Sequence, residues 1–172
     1  MSVIVPLNMM SRNAVEQLLD AAFGPDRHGR TAYLIRYGMP WLPELSFGMR
    51  DGEGRLIGSL QSWPVALAHE DGSRTPLIMV GPVAVDPAVQ GAGHGRALMD
   101  AVVAAARARR SDPLMMIGDP EYYGRFWGFS AEGTGGWDCP GPFEPRRLLA
   151  LSVDGRPIGG TGMLGPRATV RA

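Results

Sequence analysis

An apolar stretch over residues 77–85 leads directly into a glycine-rich turn at residues 90–95, and a helical pattern follows. The apolar stretch predicts a buried strand, and the change to a 3.6-residue period predicts a helix over residues 94–110. At the start of such a helix several backbone N–H groups lack intrahelical partners, and the positive end of the helix dipole points at the turn. Glycines in the turn lack the Cβ that would keep an anion away from the backbone. The junction therefore predicts a phosphate site, although a purely structural turn would show the same pattern.

Two phosphate-binding patterns are excluded by the residues themselves. All 17 basic residues are arginine, so the lysine that a P-loop, a kinase or a Schiff-base enzyme requires is missing. A dinucleotide fingerprint would need a third glycine at position 96, where Arg96 stands. What remains is a Gln-x-x-Gly-x-Gly pattern, formed by Gln90, Gly93 and Gly95.

Composition narrows the class of protein further. A chain of 172 residues with 17 basic and 17 acidic side chains predicts a single domain without attraction for nucleic acid or anionic membranes. The single cysteine, Cys139, excludes an intrachain disulfide, and with only three scattered histidines no metal site is expected. Neither a signal peptide nor a membrane span is expected, so we predict a cytoplasmic protein.

The remaining patterns predict the element order β-α-α-β-β-β-α-β-α-β, a mixed α/β fold. Glycine-containing turns at 51–54 and 69–73 predict two hairpins. Residues 1–153 are expected to form the domain, and residues 154–172, rich in glycine and proline, a C-terminal arm or tail. The predicted strands are 3–7, 45–50, 56–67, 74–85, 114–117 and 146–153, and the predicted helices begin after Ser11 and span 31–37, 94–110 and 121–127.

The glycine-rich pattern after a strand resembles the acetyl-CoA loop of the GCN5-related N-acetyltransferases (GNAT), and the predicted element order matches that acyl-CoA N-acyltransferase fold. Residues 119–129 are similar to the tyrosine-then-Gly-Phe segment that follows the fifth strand in that family, and residues 140–149 to its YhbS-like branch. The resemblance covers residues 3–153. It implies acetyl-CoA as co-substrate and a primary amine, on a small molecule, a protein or a peptide, as acceptor. Because strand edges in that family often pair, a homodimer is expected.

The resemblance also implies which residues contact the coenzyme. The backbone N–H of Val83 or Ala84 is the candidate donor to the oxyanion that forms on the thioester carbonyl. The acyl arm and thioester would contact Val83, Ala84 and Val85, and the pyrophosphate would contact Gln90, Gly91, Ala92, Gly93, His94, Gly95 and Arg96.

Tyr123 is the residue that the resemblance offers as general acid for the departing thiolate. Four residues separate it from Gly128 where the family pattern has three, so Tyr122 is an alternative, and Trp127 as the extra residue predicts a helix bulge. A tyrosine of pKa about 10 protonates a thiolate of pKa about 8.5 uphill by roughly 1.5 units. The acid therefore assists only modestly unless its pKa is lowered.

Asp119, at the end of the fifth predicted strand, is the candidate general base that removes a proton from the amine. Glu44 and Glu121 are alternatives, and each of the three carboxylates also fits a helix cap or a solvated surface group. No activated nucleophile is visible, which favours direct attack in a ternary complex. Segments 27–45 and 133–143, which would face the acceptor, carry mixed charge and do not identify it.

Other functions fit the same residues. A non-catalytic acyl-CoA sensor or regulatory module of this fold is the main alternative. A transferase for longer acyl chains or for a hydroxyl acceptor also remains open.

Overall fold

The computed structural model describes residues 1–167 of the chain. It confirms the predicted mixed α/β fold. Short 3-10 turns lie at Leu7–Met9, Arg27–Gly29, Pro43–Leu45, Pro87–Val89 and Pro145–Arg147. The helices are α1 (Arg12–Phe23), α2 (Thr31–Ile35), α3 (His94–Arg109) and α4 (Pro120–Trp127). The strands are β1 (Val3–Pro6), β2 (Phe47–Arg50), β3 (Leu56–Ala68), β4 (Arg74–Val85), β5 (Leu114–Ile117), β6 (Trp137–Asp138), β7 (Leu148–Leu151) and β8 (Gly162–Pro166).

The strands form one eight-stranded sheet in the order β1-β2-β3-β4-β5-β7, and β8 pairs with both β3 and β6. Strand β4 runs parallel to β5, with Ile78 opposite Leu114. Strands β1 and β2, β2 and β3, and β5 and β7 pair in antiparallel fashion. A parallel pair needs a long crossover connection, and the segment that contains α3 supplies it between β4 and β5.

The chain divides into two compact units. The first consists of residues 1–28, 41–62 and 80–109, and the second of residues 29–40, 63–79 and 110 onward. Strands β3 and β4 are each divided between the two units. The glycine-rich turn therefore belongs to the first unit, and α4 with its two tyrosines belongs to the second.

Helix α1 packs its apolar face in the core of the first unit. The side-chain oxygen of Ser11 accepts the N–H of Ala14 at 3.1 Å, which confirms the predicted N-cap. Gly24 ends the helix with φ 88°, and its N–H donates to Asp20 O at 2.8 Å. The buried residues of this core are Leu7, Val15, Leu18, Leu19, Leu56 and Ala84.

The segment predicted to be a C-terminal arm contributes a strand that the sequence analysis did not anticipate. Residues 163–166 of β8 pair with 65–68 of β3 in antiparallel register. Just after β8, the Arg167 side chain donates to the carbonyls of Val65 at 3.3 Å and Leu77 at 2.5 Å, and so ties the segment to β3 and β4. Residues 168–172 lie outside the described part of the chain.

Two further expectations for the second unit need correction. The last predicted strand, 146–153, is shortened to β7, because residues 145–147 form a 3-10 turn. The loop predicted at 133–145 contains the two-residue strand β6, which pairs in parallel with β8 through Trp137 and Gly162. The second difference follows from β8, since its partner strand β6 could not be expected while β8 itself was missed.

Candidate active site

The turn between β4 and α3 is shaped by one aspartate and two glycines. Asp86 Oδ1 accepts the N–H of Ala88 at 2.9 Å, and this caps the 3-10 turn that follows β4. The backbone then reverses through Gly91 with φ 90° and Gly93 with φ 80°. L-residues with a side chain rarely adopt these values. The glycines are therefore required by the path of the chain into α3.

Space around this turn is open. Among the atoms that the structure describes, a Cβ on Gly91 or Gly93 would meet nothing within 4 Å. A Cβ on Gly95, in the first turn of α3, would lie 3.7 Å from Val85 Cγ2 and 3.9 Å from Val83 Cγ1. The residues predicted to hold a pyrophosphate thus lie directly beside two of the residues predicted to hold the acyl arm. Such a continuous surface of exposed backbone beside a strand fits an extended ligand with an anionic end.

Strand β4 is irregular at Gly81-Pro82. The peptide bond between these residues is cis, and Gly81 has φ 122°. Proline has no N–H to donate to a neighbouring strand. Val83 and Ala84 follow directly, and Ala84 is fully buried in the core of the first unit.

In the second unit, Asp119 caps α4. Its Oδ1 accepts the N–H of Glu121 at 3.1 Å, and its carbonyl accepts the N–H of Tyr123 at 2.9 Å. The predicted bulge at Trp127 is wrong, because α4 is a regular α-helix that ends when the Gly128 N–H donates to Gly124 O at 3.0 Å. The Trp127 side chain is buried.

Tyr123 lies half-buried against the end of β5. A Cβ on Gly118 would lie 2.7 Å from Tyr123 Cε2, so the ring rests directly on the backbone of Gly118. The Tyr122 ring meets the Tyr123 ring edge to face at a centroid distance of 5.0 Å, and Tyr122 itself is 37% exposed. Burial raises the pKa of Tyr123, and the neighbouring Tyr122 and Asp119 raise it further. Tyr123 is thus held in its protonated form, and its pKa is not lowered toward that of a thiol.

The two alternative carboxylates, Glu121 and Glu44, and the single cysteine lie in different environments. Glu121 forms an exposed ion pair with Arg146, and Glu44 is exposed in a 3-10 turn. Cys139 is buried, and burial raises its pKa to about 11. Within the described residues, no group of three His, Cys, Asp or Glu side chains could hold a metal ion.

The two segments expected to face the acceptor contact each other in the second unit. The Thr31 hydroxyl donates to the carbonyl of Pro142 at 2.5 Å. A Cβ on Gly141 would lie 2.7 Å from Thr31 Oγ1, so glycine is needed for this close approach. Nearby in sequence, Arg36 stacks its guanidinium 3.7 Å from the centre of the Trp63 ring, and this packing explains the burial of Trp63.

Solved structures share this fold over nearly the whole chain. A GNAT family N-acetyltransferase, YhbS from Escherichia coli, in complex with CoA, superposes with a TM-score of 0.73 at 22% identity over 96% of this chain and 89% of its own. A GNAT family acetyltransferase from Brucella melitensis in complex with acetyl-CoA gives 0.64 at 24% identity, over 98% and 97% of the two chains. The fold is therefore that of the GNAT acetyltransferases, and the expected likeness to YhbS is confirmed at the level of fold.

Sequence comparison gives the family. The model of the family described as Acetyltransferase (GNAT) domain matches residues 6–130, and the chain belongs to this family. The family resemblance inferred from the sequence is thereby confirmed. A mycothiol acetyltransferase from Thermobispora bispora is 35% identical over 80 residues, which is 46% of this chain. The match spans only 26% of the length of that curated relative. Among the described helices, none is long and apolar enough to cross a membrane.

Sequence reasoning missed one feature of the candidate site, the close contact between Gly118 and the Tyr123 ring. A glycine between a buried strand and an aromatic helix is typical of close packing, and this is the observation that could have found it.

Proposed function

We propose that the protein is an N-acetyltransferase that uses acetyl-CoA as co-substrate and acetylates a primary amine by direct attack in a ternary complex. The observation that carries the proposal is the turn from β4 into α3. Its two glycines with positive φ expose backbone N–H groups at a helix N-terminus, beside Val83 and Val85. Family membership and two neighbours whose structures contain CoA or acetyl-CoA support the same assignment.

The residues of the turn fit an extended coenzyme. Residues 90–96 would hold the pyrophosphate through their backbone N–H groups, and the exposed Arg96 side chain would add a positive charge. Residues 83–85 would hold the acyl arm, and the N–H of Val83 or Ala84 would donate to the thioester carbonyl oxygen as negative charge develops there. Acetyl-CoA supplies an activated acetyl group whose C–S bond breaks as the new C–N bond forms.

Proton transfers complete the proposed reaction. The attacking amine must lose a proton, because a primary amine of pKa near 10 is mostly protonated at neutral pH. Asp119 is proposed as the base that accepts this proton through its second carboxylate oxygen, since Oδ1 caps α4. Tyr123 is proposed to donate a hydrogen bond to the sulfur that departs, and its raised pKa means that it stabilises the thiolate without transferring its own proton completely. The nitrogen loses a second proton as the amide forms, and this proton converts the thiolate into the free thiol of coenzyme A.

A melting experiment tests the proposal directly. Acetyl-CoA, coenzyme A and NADH are titrated in parallel, because a ligand at 100 times its Kd stabilises the native state by about 2.7 kcal/mol. A rise of several degrees with the first two and none with NADH is expected. No rise with either coenzyme would contradict the proposal, because the turn would then be purely structural. Binding without thiol release in the presence of an amine panel would instead indicate the acyl-CoA sensor.

A further inference from the structure

Arg147 places a guanidinium at the end of β5, in the second unit. Its carbonyl accepts the N–H of Gly118 at 2.9 Å, which continues the antiparallel register of β5 and β7 by one pair. The Arg147 side chain is half-buried, and within the described part of the chain it forms neither an ion pair nor a hydrogen bond. The neighbouring Arg146, by contrast, is exposed and pairs with Glu121. A partly buried cation is stabilised by an anion beside it, and no described residue supplies one to Arg147.

Arg147 and the Tyr123 ring lie on the same side of β5. Directly opposed residues of an antiparallel pair have their side chains on one face, with Cβ atoms about 5 Å apart. A Cβ on Gly118 would lie 2.7 Å from Tyr123 Cε2, so the Tyr123 ring covers that face of Gly118. Arg147 is opposed to Gly118, and its side chain therefore lies beside the ring.

Two charges of opposite sign act on the Tyr123 hydroxyl. Burial raises the pKa of Tyr123, and the neighbouring Tyr122 and Asp119 raise it further. The positive charge of Arg147 lowers it. Asp119 directly follows Gly118 in the chain and is the proposed base for the amine. An acceptor whose amine lies beside Asp119 can therefore present a negative group to Arg147.

We infer that the acceptor is a free α-amino acid whose carboxylate is bound by Arg147, an inference that rests on the proposed function. In an α-amino acid the ammonium and the carboxylate are attached to one carbon, so both groups reach the same small region of the protein. The planar fork of a guanidinium matches the two oxygens of a carboxylate. After acetylation the nitrogen carries no charge, so the contact with Asp119 is lost and the N-acetyl amino acid can leave.

The test compares Arg147→Gln with Arg146→Gln. Both substitutions remove one positive charge and keep a polar side chain, but the charge of Arg146 is already matched by Glu121. The substrates are the common α-amino acids and the corresponding α-carboxamides, with acetyl-CoA saturating. The ratio of kcat/KM for an amino acid to that for its carboxamide is measured in each variant, so that the different basicity of the two amines cancels between variants.

We expect the wild type to acetylate at least one amino acid in preference to its carboxamide. Arg147→Gln should lower the ratio by roughly tenfold to a hundredfold, the loss of a charge-assisted hydrogen bond. Arg147→Lys keeps the charge without the fork and should retain part of the preference. Arg146→Gln should keep all of it.

A second measurement needs no turnover. With coenzyme A bound, the melting temperature is recorded with the same amino acids and carboxamides. A rise with an amino acid that is absent with its carboxamide and lost in Arg147→Gln supports the inference, even if nothing is acetylated and the proposed function itself fails. A rise of equal size with the carboxamide, or in Arg147→Gln, would overturn it. Neither a rise nor acetylation with any amino acid would also overturn it, and acetylation of benzylamine would then leave the proposed function intact.

Two further results would contradict the assigned role of Arg147. If Arg147→Gln slows amino acids and carboxamides equally, then Arg147 acts on Tyr123 and not on the substrate. If Arg147→Gln binds coenzyme A more weakly, then the anion beside Arg147 is a phosphate of the coenzyme.

Discussion

A Cβ atom on Gly118 would lie 2.7 Å from Cε2 and 2.8 Å from Cδ2 of the Tyr123 ring. Side-chain carbons do not approach this closely, so glycine at 118 is what allows the ring to lie against the end of β5. Gly118→Ala should displace the Tyr123 ring and lower turnover by roughly tenfold or more, since small displacements of a reacting group are costly. Acetyl-CoA affinity should remain unchanged. Steady-state kinetics and coenzyme titration measure both quantities.

Gly135→Ala is the matched control for that substitution. Gly135 also belongs to the second unit, and a Cβ there would meet no described atom within 4 Å. Normal turnover is expected for this variant. If Gly118→Ala also keeps normal turnover, then the position of the Tyr123 ring does not matter to the reaction.

Removal of the Tyr123 hydroxyl tests the proposed acid. Tyr123→Phe should lower turnover about tenfold, the loss of one hydrogen bond to the departing sulfur, with little change in acetyl-CoA affinity. Burial raises the pKa of Tyr123 above its usual value near 10, so the phenol stays protonated across the neutral range. The pH–rate profile of the wild type should therefore show no alkaline decline from this group below pH of about 10.

Tyr122→Phe provides the comparison, because Tyr122 lies one residue away on the same helix and is more exposed. Turnover near the wild-type level is expected. A large loss in Tyr122→Phe together with normal turnover in Tyr123→Phe would transfer the role to Tyr122.

The elements that could be predicted from the sequence are those whose formation depends on residues close together in the chain. Strand β4 has the predicted bounds, and α1 begins after the predicted Ser11 cap, because apolar periodicity and a side-chain cap depend on neighbouring residues. Strand β8 was missed because two of its five residues are glycine and one is proline, and they become a strand only by pairing with β3 and β6. Long-range pairing of this kind leaves no local pattern.

The candidate site likewise contains a part that could be predicted from neighbouring residues and a part that could not. The turn from β4 into α3 could be predicted because its glycines with positive φ, Gly91 and Gly93, lie close together in the sequence. The contact of Gly118 with Tyr123 depends on residues brought together by the fold. The expectation of a bulge at Trp127 was wrong because it rested on a residue count alone, whereas α4 is a regular helix with the indole of Trp127 buried.

Asp119→Asn separates catalysis from helix capping. Asparagine caps a helix about as well as aspartate, so the free energy of unfolding should change little. If Asp119 accepts the proton of the amine, turnover falls and the pH–rate profile shifts. Asp119→Ala should additionally lose about 0.5–2 kcal/mol of stability with the cap. An unshifted profile in Asp119→Asn would leave Asp119 with the structural role alone.

Cys139 should be unreactive in the folded protein. Its thiol is buried, and burial raises its pKa to about 11, so the thiolate that reacts with alkylating reagents is scarce at pH 8. Iodoacetamide at pH 8 should label the native protein far more slowly than the denatured one, which mass spectrometry can follow. Cys139→Ala should keep full activity. Rapid labelling of the native protein or lost activity in Cys139→Ala would argue for a role in the site.

Gly93→Ala tests the turn that carries the proposed coenzyme site. Alanine at φ 80° is strained by roughly 1–2 kcal/mol, so the turn should shift and its N–H groups should move out of alignment. The Kd of acetyl-CoA should rise about tenfold or more. Gly72→Ala is the matched control, because Gly72 has φ 88° and equally open surroundings in the hairpin between β3 and β4. Both variants should melt at lower temperature than the wild type, while only Gly93→Ala should bind acetyl-CoA more weakly. Equal loss of affinity in both would show that general destabilisation, and not the turn, accounts for the effect.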